Sequence, residues 1–290
     1  MAKQKLVMIG NGMAGLRTIE EILERSQSQF DITIIGKEPY PNYNRIMLSN
    51  ILQKKMTVED TIMNPYDWYQ ENNIELINND PVEKVDKENK IVTTSKGIEV
   101  EYDICIFATG SKAFVLPIPG SNLPSVIGWR TIDDTNKMIE IAQTKKRAVV
   151  IGGGLLGLEC ARGLLDQGME VTVLHLADWL MEMQLDRKAG EMLKADLEKQ
   201  GMKIELQANS KEIIGDKDVE AIKLADGRVI ETDLVVMAVG IRPYTEVAKD
   251  SGLDVNRGIV VNDYMQTSDS HIYAVGECAE HDGKVYGLVA

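Results

Sequence analysis

Two glycine clusters carry the chemistry that can be read from this sequence. Gly10, Gly12 and Gly15 stand in Ile9-Gly10-Asn11-Gly12-Met13-Ala14-Gly15, and Gly152, Gly154 and Gly157 in Ile151-Gly152-Gly153-Gly154-Leu155-Leu156-Gly157. In a G-x-G-x-x-G array the first glycine makes a tight turn. The second lets the backbone approach a pyrophosphate, and the third lets the helix pack on its strand. The helix N-terminus then offers free N–H groups and a positive partial charge to phosphate oxygens. One such array is a weak signal. The same array twice, each time between a strand pattern and a helix pattern, is a strong one and implies two bound dinucleotides.

The elements that must position these glycines repeat with them. Apolar strands are expected at 6–9 and 148–151. Helix-spaced apolar residues follow, at Met13, Leu16, Ile19 and Ile22 and at Leu155, Leu158, Ala161 and Leu165, and then strands at 32–35 and 171–174. An acid roughly 20 residues beyond the glycines takes the adenosine ribose hydroxyls in such sites. Glu38 holds that place in the first half, beside Lys37, with a solvated loop carboxylate as the plainer reading. His175 holds it in the second. Farther on, Glu101-Tyr102-Asp103-Ile104-Cys105-Ile106-Phe107-Ala108-Thr109-Gly110 parallels Glu231-Thr232-Asp233-Leu234-Val235-Val236-Met237-Ala238-Val239-Gly240, and the turn Ser95-Lys96-Gly97 parallels Ala225-Asp226-Gly227. Duplication of a whole nucleotide-binding unit accounts for this pattern. Pro117, Pro119, Gly120 and Pro124 mark a crossing into the second unit, and Ile241-Arg242-Pro243 a return. The expected fold is α/β, two Rossmann-like three-layer domains with the second inserted in the first. Residues 1–116 and 243–290 form one domain and 117–242 the other. After the return, strands are expected at 258–261 and 271–275, the latter ending in Gly276-Glu277 ahead of a helix.

Composition narrows the partners. Lys+Arg number 32 and Asp+Glu 45, a net charge of −13, which argues against nucleic acid and anionic membranes. The N-terminus lacks the pattern of a signal peptide and no apolar run has the length of a membrane span, so a cytoplasmic location is expected. Cys105, Cys160 and Cys278 are scattered, with no C-x-x-C pair. They read as reduced structural thiols, and no metal site is expected.

With these residues in view, the chain resembles the two-dinucleotide flavoprotein reductases of the pyridine nucleotide–disulfide oxidoreductase superfamily over residues 3–290. The resemblance rests on GNGMAG at 10–15, ATG at 108–110, GGGLLGLE at 152–159, AVGIRP at 238–243 and TSDSHIYAVGECAEH at 267–281. EPYPNYNRIMLS at 38–49 looks most like the N-terminal reductase module of NAD(P)H-dependent nitrite reductase large subunits. The resemblance implies FAD on the first fingerprint, held by Gly10, Gly12, Met13, Ala14 and Gly15. Glu38 would bind its ribose, Arg45 and Ser49 would lie beside its phosphates and flavin, and the Val82 backbone would meet adenine. Ala108, Thr109 and Gly110 would close over it, and Gly276 and Glu277 would bind its ribitol. It implies NAD(P)H on Gly152, Gly154, Leu155, Leu156, Gly157, His175 and Gly240, with Glu159 positioning the nicotinamide side. It also implies a C-terminal interface domain beyond Ala290, and sirohaem and a [4Fe–4S] cluster only in that missing part.

This sequence departs from the family pattern in three places. Asn50 stands where many relatives carry a lysine near the flavin, Glu277 where the pattern has Asp, and His175 where NADH-preferring relatives have an acid. The choice between NADH and NADPH therefore stays open. The function expected is hydride transfer from NAD(P)H to FAD and onward delivery of electrons, as the entry part of a nitrite reductase. Two alternatives stand beside it. One is a free-standing reductase of rubredoxin- or ferredoxin-type carriers. The other, of a different class, is an NAD(H) sensor, which would need only one dinucleotide site. A homodimer is among the assemblies left open.

Overall fold

The computed structural model describes residues 3–26 and 28–286. Residues 287–290, the end of the segment 243–290 expected in the first domain, lie outside the described residues.

Each fingerprint lies on a five-stranded parallel sheet. In the first sheet the order is Ile272–Ala274, Ile104–Phe107, Gln4–Ile9, Phe30–Ile35 and Ile74–Ile77. In the second it is Val126–Gly128, Leu234–Met237, Arg147–Ile151, Glu170–Leu174 and Lys203–Glu205. An antiparallel three-stranded meander accompanies each, Val82–Asp86 with Ile91–Thr94 and Glu99–Glu101, and Ser210–Ile214 with Ala221–Leu224 and Val229–Glu231. Side chains alternate across the first sheet as strand pleating requires. Leu6 and Met8 face the helix Met13–Ser26 through Leu16 and Ile19. Val7 and Ile9 face the meander through Val85 and Val92. Burial of Leu16 and Ile19 contributes about 1.5–3 kcal/mol each, which is what holds the first fingerprint's helix on its strand. The second sheet repeats the meander side with Val149 and Ile151 against Ile213, Ile222 and Leu224.

The acids of the internal repeat are ties within each sheet. Asp103 accepts from the Lys5 amide at 2.8 Å and Glu101 pairs with the Lys5 ammonium. In the same register Asp233 accepts from the Arg147 amide at 2.9 Å and Glu231 pairs with its guanidinium. Each pair fixes the register of a unit's first strand against the one before the Ala108 or Ala238 turn.

By contact the chain divides into two units. Met1–Asn44, Ile62–Lys112 and Ile241–Ala290 make the first, and Arg45–Thr61 and Ala113–Gly240 the second. The segment Arg45–Thr61 differs from the expected boundary, since it groups with the second unit. The helix Leu48–Leu52 is the reason. Leu48, Ile51 and Leu52 are buried, and Leu52 fills the space beside Gly163, where a Cβ would lie 2.5 Å from the leucine Cγ. The Gln167 side-chain amide donates to the Leu52 carbonyl at 2.7 Å. Among the described residues no helix follows Glu277. A single 3-10 turn, Gly276–Cys278, leads directly into the strand Ala279–His281. Glu280 accepts from the Arg257 and Gly258 amides, both at 2.8 Å, and so commits this stretch to pairing with Ile259–Val261.

Candidate functional site

The two fingerprints have the same local construction. Gly10 and Gly152 have φ of +115° and +119°, and a Cβ on either would lie 2.2 Å from the carbonyl oxygen of Ala108 or Ala238. Gly15 and Gly157 are also packed: a Cβ would come within 3.0 Å of the Gly10 carbonyl and 2.0 Å of the Gly152 carbonyl. Gly12 and Gly154 are the reverse, with nothing within 4 Å of the place a Cβ would take. The middle glycine therefore faces open space in both units while its neighbours are locked. That is the room a pyrophosphate needs beside bare backbone.

Helix capping points the same way. Helix Ile132–Thr144 begins with a capping box from Thr131 and Asp134, and helix Arg187–Lys199 with Asp186 accepting from the Ala189 amide at 2.8 Å. Helix Leu155–Asp166 begins at Gly154 with no side-chain cap. Neither it nor Met13–Ser26 has an acid in its first turn. The first amides of an α-helix have no partner within the helix. At the fingerprints these amides belong to the residues around Met13, Ala14, Leu155 and Leu156, and they are the donors a helix N-terminus offers an anion. The residues present thus fit a dinucleotide in each unit.

In the first unit the expected residues converge at the strand ends. The Ala108 amide donates to Ile9 O and the Val275 amide to Phe107 O, each at 2.8 Å, so strand pairing sets the Gly10, Ala108 and Gly276 turns side by side. Gly276, with φ +77°, lies so close to Ala14 that a Cβ would be 2.7 Å from the alanine methyl. Ser111 donates to the Glu277 carboxylate at 2.6 Å, which aims the longer acid. Thr109 donates from its hydroxyl to Tyr244 O at 2.8 Å, and the Tyr244 amide donates to Gly110 O at 2.9 Å. Glu38 accepts from the Tyr43 hydroxyl at 2.7 Å, so its carboxylate is held rather than simply solvated. The glycine loop is held as well: the Tyr69 hydroxyl donates to Asn11 Oδ1 at 2.8 Å, and Asn42 Nδ2 donates to Asn11 O at 3.1 Å. Asn11, Asn42, Tyr43 and Tyr69 were not singled out by the sequence, although Asn11 lies within the first fingerprint and Asn42 and Tyr43 within EPYPNYNRIMLS at 38–49. Val82 lies at the start of the meander, paired with Thr94. Just before it, the Asp80 amide donates to Gly36 O and the Asn79 amide to Glu38 O, both at 3.1 Å.

Arg45 and Ser49 lie in the second unit. Arg45 donates to the Arg130 carbonyl at 3.1 Å, and the Ser49 hydroxyl, which donates to the Ile46 carbonyl at 3.3 Å, lies beside Glu159. Burial holds the Glu159 carboxyl above the usual glutamate value of 4.5, opposed by the Ser49 hydrogen bond. Gly240, φ +105°, closes the strand-end turn after Met237, and its carbonyl accepts from Phe114. His175 is not an open loop side chain. Its ring is buried, its Nδ1 accepts from the Gly153 amide at 3.0 Å, and its Nε2 lies 2.9 Å from a Glu182 carboxylate oxygen. Gly153 and Glu182 are functional candidates that sequence reasoning missed. The extra glycine in GGGLLG was the available signal, because a Cβ at Gly153 would lie 2.6 Å from Leu180 and 2.7 Å from the His175 ring.

All three cysteines are buried and free. Burial pushes the Cys105, Cys160 and Cys278 thiols up, with hydrogen bonds from Thr109 and Gly110 partly opposing it at Cys278. Among the described residues no helix is long and apolar enough to cross a membrane.

The family model described as pyridine nucleotide-disulphide oxidoreductase matches residues 4–289. The chain belongs to this family. It is 57% identical over its whole length to nitrite reductase [NAD(P)H] from Bacillus subtilis (strain 168), and 47% identical to the assimilatory nitrate reductase electron transfer subunit of the same organism. It spans 36% and 38% of the length of these two relatives. Among solved structures, a ferredoxin reductase from Rhodopseudomonas palustris matches with a TM-score of 0.90 at 30% identity, covering 97% of this chain and 69% of that one. The α/β fold with parallel sheets is thus shared with reductases of known structure, and the chain is an oxidoreductase of this family.

Proposed function

We propose that this chain is a flavin-dependent NAD(P)H reductase module that takes electrons from a reduced nicotinamide and passes them to a further acceptor. The observation that carries the reading is the paired construction of the fingerprints, with an open middle glycine, locked outer glycines and a helix with no acid in its first turn in each unit. An NAD(H) sensor has no use for a second site of this kind.

In this reading Gly10, Gly12, Gly15 and the first amides of helix Met13–Ser26 hold the FAD pyrophosphate. Glu38, fixed by Tyr43, accepts from its ribose, and Glu277, fixed by Ser111, meets its ribitol. Val82 lies on the adenine side and Thr109 and Gly110 on the flavin side. Gly152, Gly154, Gly157 and helix Leu155–Asp166 hold the nicotinamide dinucleotide, with Gly240 at the neighbouring strand end. When bound, the flavin supplies acceptance of a hydride from reduced nicotinamide and release of the electrons one at a time. The protein's part is to orient the two dinucleotides and to exclude water. Glu159 and Ser49 lie on the nicotinamide side, and Arg45 is fixed in the same unit for phosphate.

Of the two Bacillus subtilis relatives, the nitrite reductase favours nitrite reduction as the process served, and the electron transfer subunit favours an electron-entry role for this chain. Sirohaem and iron–sulfur chemistry then lie in the remaining length of such proteins. The ferredoxin reductase match favours delivery to a small redox carrier as the second reading. One preparation tests both. The FAD-loaded chain is expected to reduce ferricyanide or a dye with NAD(P)H and to leave nitrite unchanged. Its three buried cysteines are fewer than the four thiolates of a [4Fe–4S] cluster. Ammonia formed from nitrite by this chain would refute the division of labour, and a flavin-loaded sample inert to dye would refute the reductase reading.

A further inference from the structure

The residue after the second strand of a dinucleotide site normally reads the adenosine ribose, and here that residue is His175, turned inward. Both its ring nitrogens are committed. Nδ1 accepts from the Gly153 amide, so in the neutral ring the proton sits on Nε2, which donates to Glu182 Oε2 at 2.9 Å. The turn that carries Glu182 is bound to the same glycine from its other side, since the Met181 amide donates to the Gly153 carbonyl at 3.1 Å and Leu180 is fully buried against it. Gly153 lies between the locked Gly152 and the open Gly154. The carboxylate of Glu182 is therefore fixed at the end of strand Glu170–Leu174, beside the fingerprint, while its own side chain keeps 35% of its exposure.

The charges around it favour the same outcome. From 175 to 187 the chain has three carboxylates, Asp178, Glu182 and Asp186, and one guanidinium, Arg187. Arg187 is paired with Asp178 at 2.9 Å and lies over the Trp179 ring. Asp186 caps its helix. Glu182 is the acid of this stretch that the strand-end residue itself holds in place.

We propose that Glu182, anchored by His175, selects NADH over NADPH, with Glu182 as the specificity-determining residue and His175 as its positioning residue. This rests on the second fingerprint being the nicotinamide dinucleotide site. A fixed carboxylate accepts from a 2′-hydroxyl and repels a 2′-phosphate, so it attracts one nucleotide and disfavours the other. The acid expected directly after the strand is thus supplied seven positions later in the chain and carried to its place by a histidine.

The test is equilibrium calorimetric titration of the full chain with NAD+ and, separately, with NADP+, which needs no turnover. The wild type is expected to bind NAD+ at least about tenfold more tightly, the scale at which repulsion between like charges discriminates. Glu182→Gln keeps an oxygen for the His175 donor and removes only the charge, so an unchanged Tm with a ratio reduced roughly three- to tenfold supports the proposal. Glu182→Arg is expected to bring the ratio below one. His175→Leu in the wild type should lower the ratio as Glu182→Gln does, and should add nothing in the Glu182→Gln background, a selectivity coupling that a merely structural histidine would not show. Gly154→Val serves as the site control and should abolish binding of both nucleotides. If that control holds while Glu182→Gln and Glu182→Arg leave the ratio unchanged, or if the wild type prefers NADP+, the selector is wrong and the site stands. Binding of either nucleotide that survives Gly154→Val overturns the site itself.

Discussion

The two units follow one plan and diverge at one place. Their outer glycines are locked against a neighbouring carbonyl at the same 2.2 Å for Gly10 and Gly152, and their middle glycines are equally open. The acid pairs Glu101 and Asp103, and Glu231 and Asp233, tie down the same basic position of the first strand. At the end of the second strand the units part. The first places Glu38 there, held by the Tyr43 hydroxyl at 2.7 Å. The second buries a histidine and brings its acid from a later turn. Phosphate binding at such a fingerprint depends on backbone geometry, and that geometry is the same in both copies. Discrimination among nucleotides depends on side chains at a strand end, and there the two copies were free to differ.

The sharpest way to break this comparison is to fill the middle glycines. Gly12→Val and Gly154→Val should both fold, because each Cβ enters open space. Gly12→Val should lose FAD by roughly a hundredfold or more in affinity, on the scale of a few kcal/mol for a blocked phosphate contact. Gly154→Val should keep FAD and lose its response to NADH. Flavin absorbance after gel filtration, with circular dichroism as the fold check, reads both. Loss of FAD in both variants would mean that the units do not act as separate sites.

Locked glycines should behave in the opposite way. Gly10→Ala and Gly152→Ala put a Cβ onto a carbonyl oxygen in a backbone conformation unsuited to it. Each should cost about 2–4 kcal/mol of stability, read by urea unfolding. Equal stability of Gly10→Ala and Gly12→Ala would remove the distinction between lock and opening.

The sequence already held the fold class, the duplication and both glycine fingerprints, because glycine spacing and strand periodicity are local signals. Leu6 and Met8 against Val7 and Ile9, for instance, alternate as their faces require. It did not hold the allegiance of Arg45–Thr61, which depends on Leu52 meeting Gly163 more than a hundred residues away. Nor did it hold the relay from His175 to Glu182, since a histidine's partners are set by tertiary packing rather than by spacing. The short turn and strand that directly follow Glu277 have the same origin: Glu280 is committed to amides at Arg257 and Gly258.

Smaller effects sharpen the account of what the units do not use. With three thiols buried and pushed up by burial, native protein should react with a thiol reagent only as fast as it opens. A Cys105→Ser, Cys160→Ser, Cys278→Ser variant that folds should keep its rate of flavin reduction by NADH. A loss of that rate at full flavin content would assign a thiol to the chemistry. The smallest effect expected is at Glu159. Its carboxyl is raised above 4.5 by burial, so the folded state holds the proton more tightly than the unfolded state, and stability falls as pH rises from 4.5 through the folded value. Glu159→Gln should therefore raise Tm slightly at neutral pH, by less than about 3 °C, and leave it unchanged well below pH 4.5. A Tm lowered at neutral pH would show that the Ser49 hydrogen bond outweighs the burial.

The central claim is that the fingerprints hold two dinucleotides between which reducing equivalents pass. Anaerobic titration of the FAD-loaded chain with NADH tests it most directly, followed at the visible flavin band with Gly154→Val at equal flavin content alongside. The account predicts that the wild type bleaches in proportion to added NADH and that Gly154→Val stays yellow. A wild-type band untouched by NADH, or equal bleaching in Gly154→Val, would contradict it.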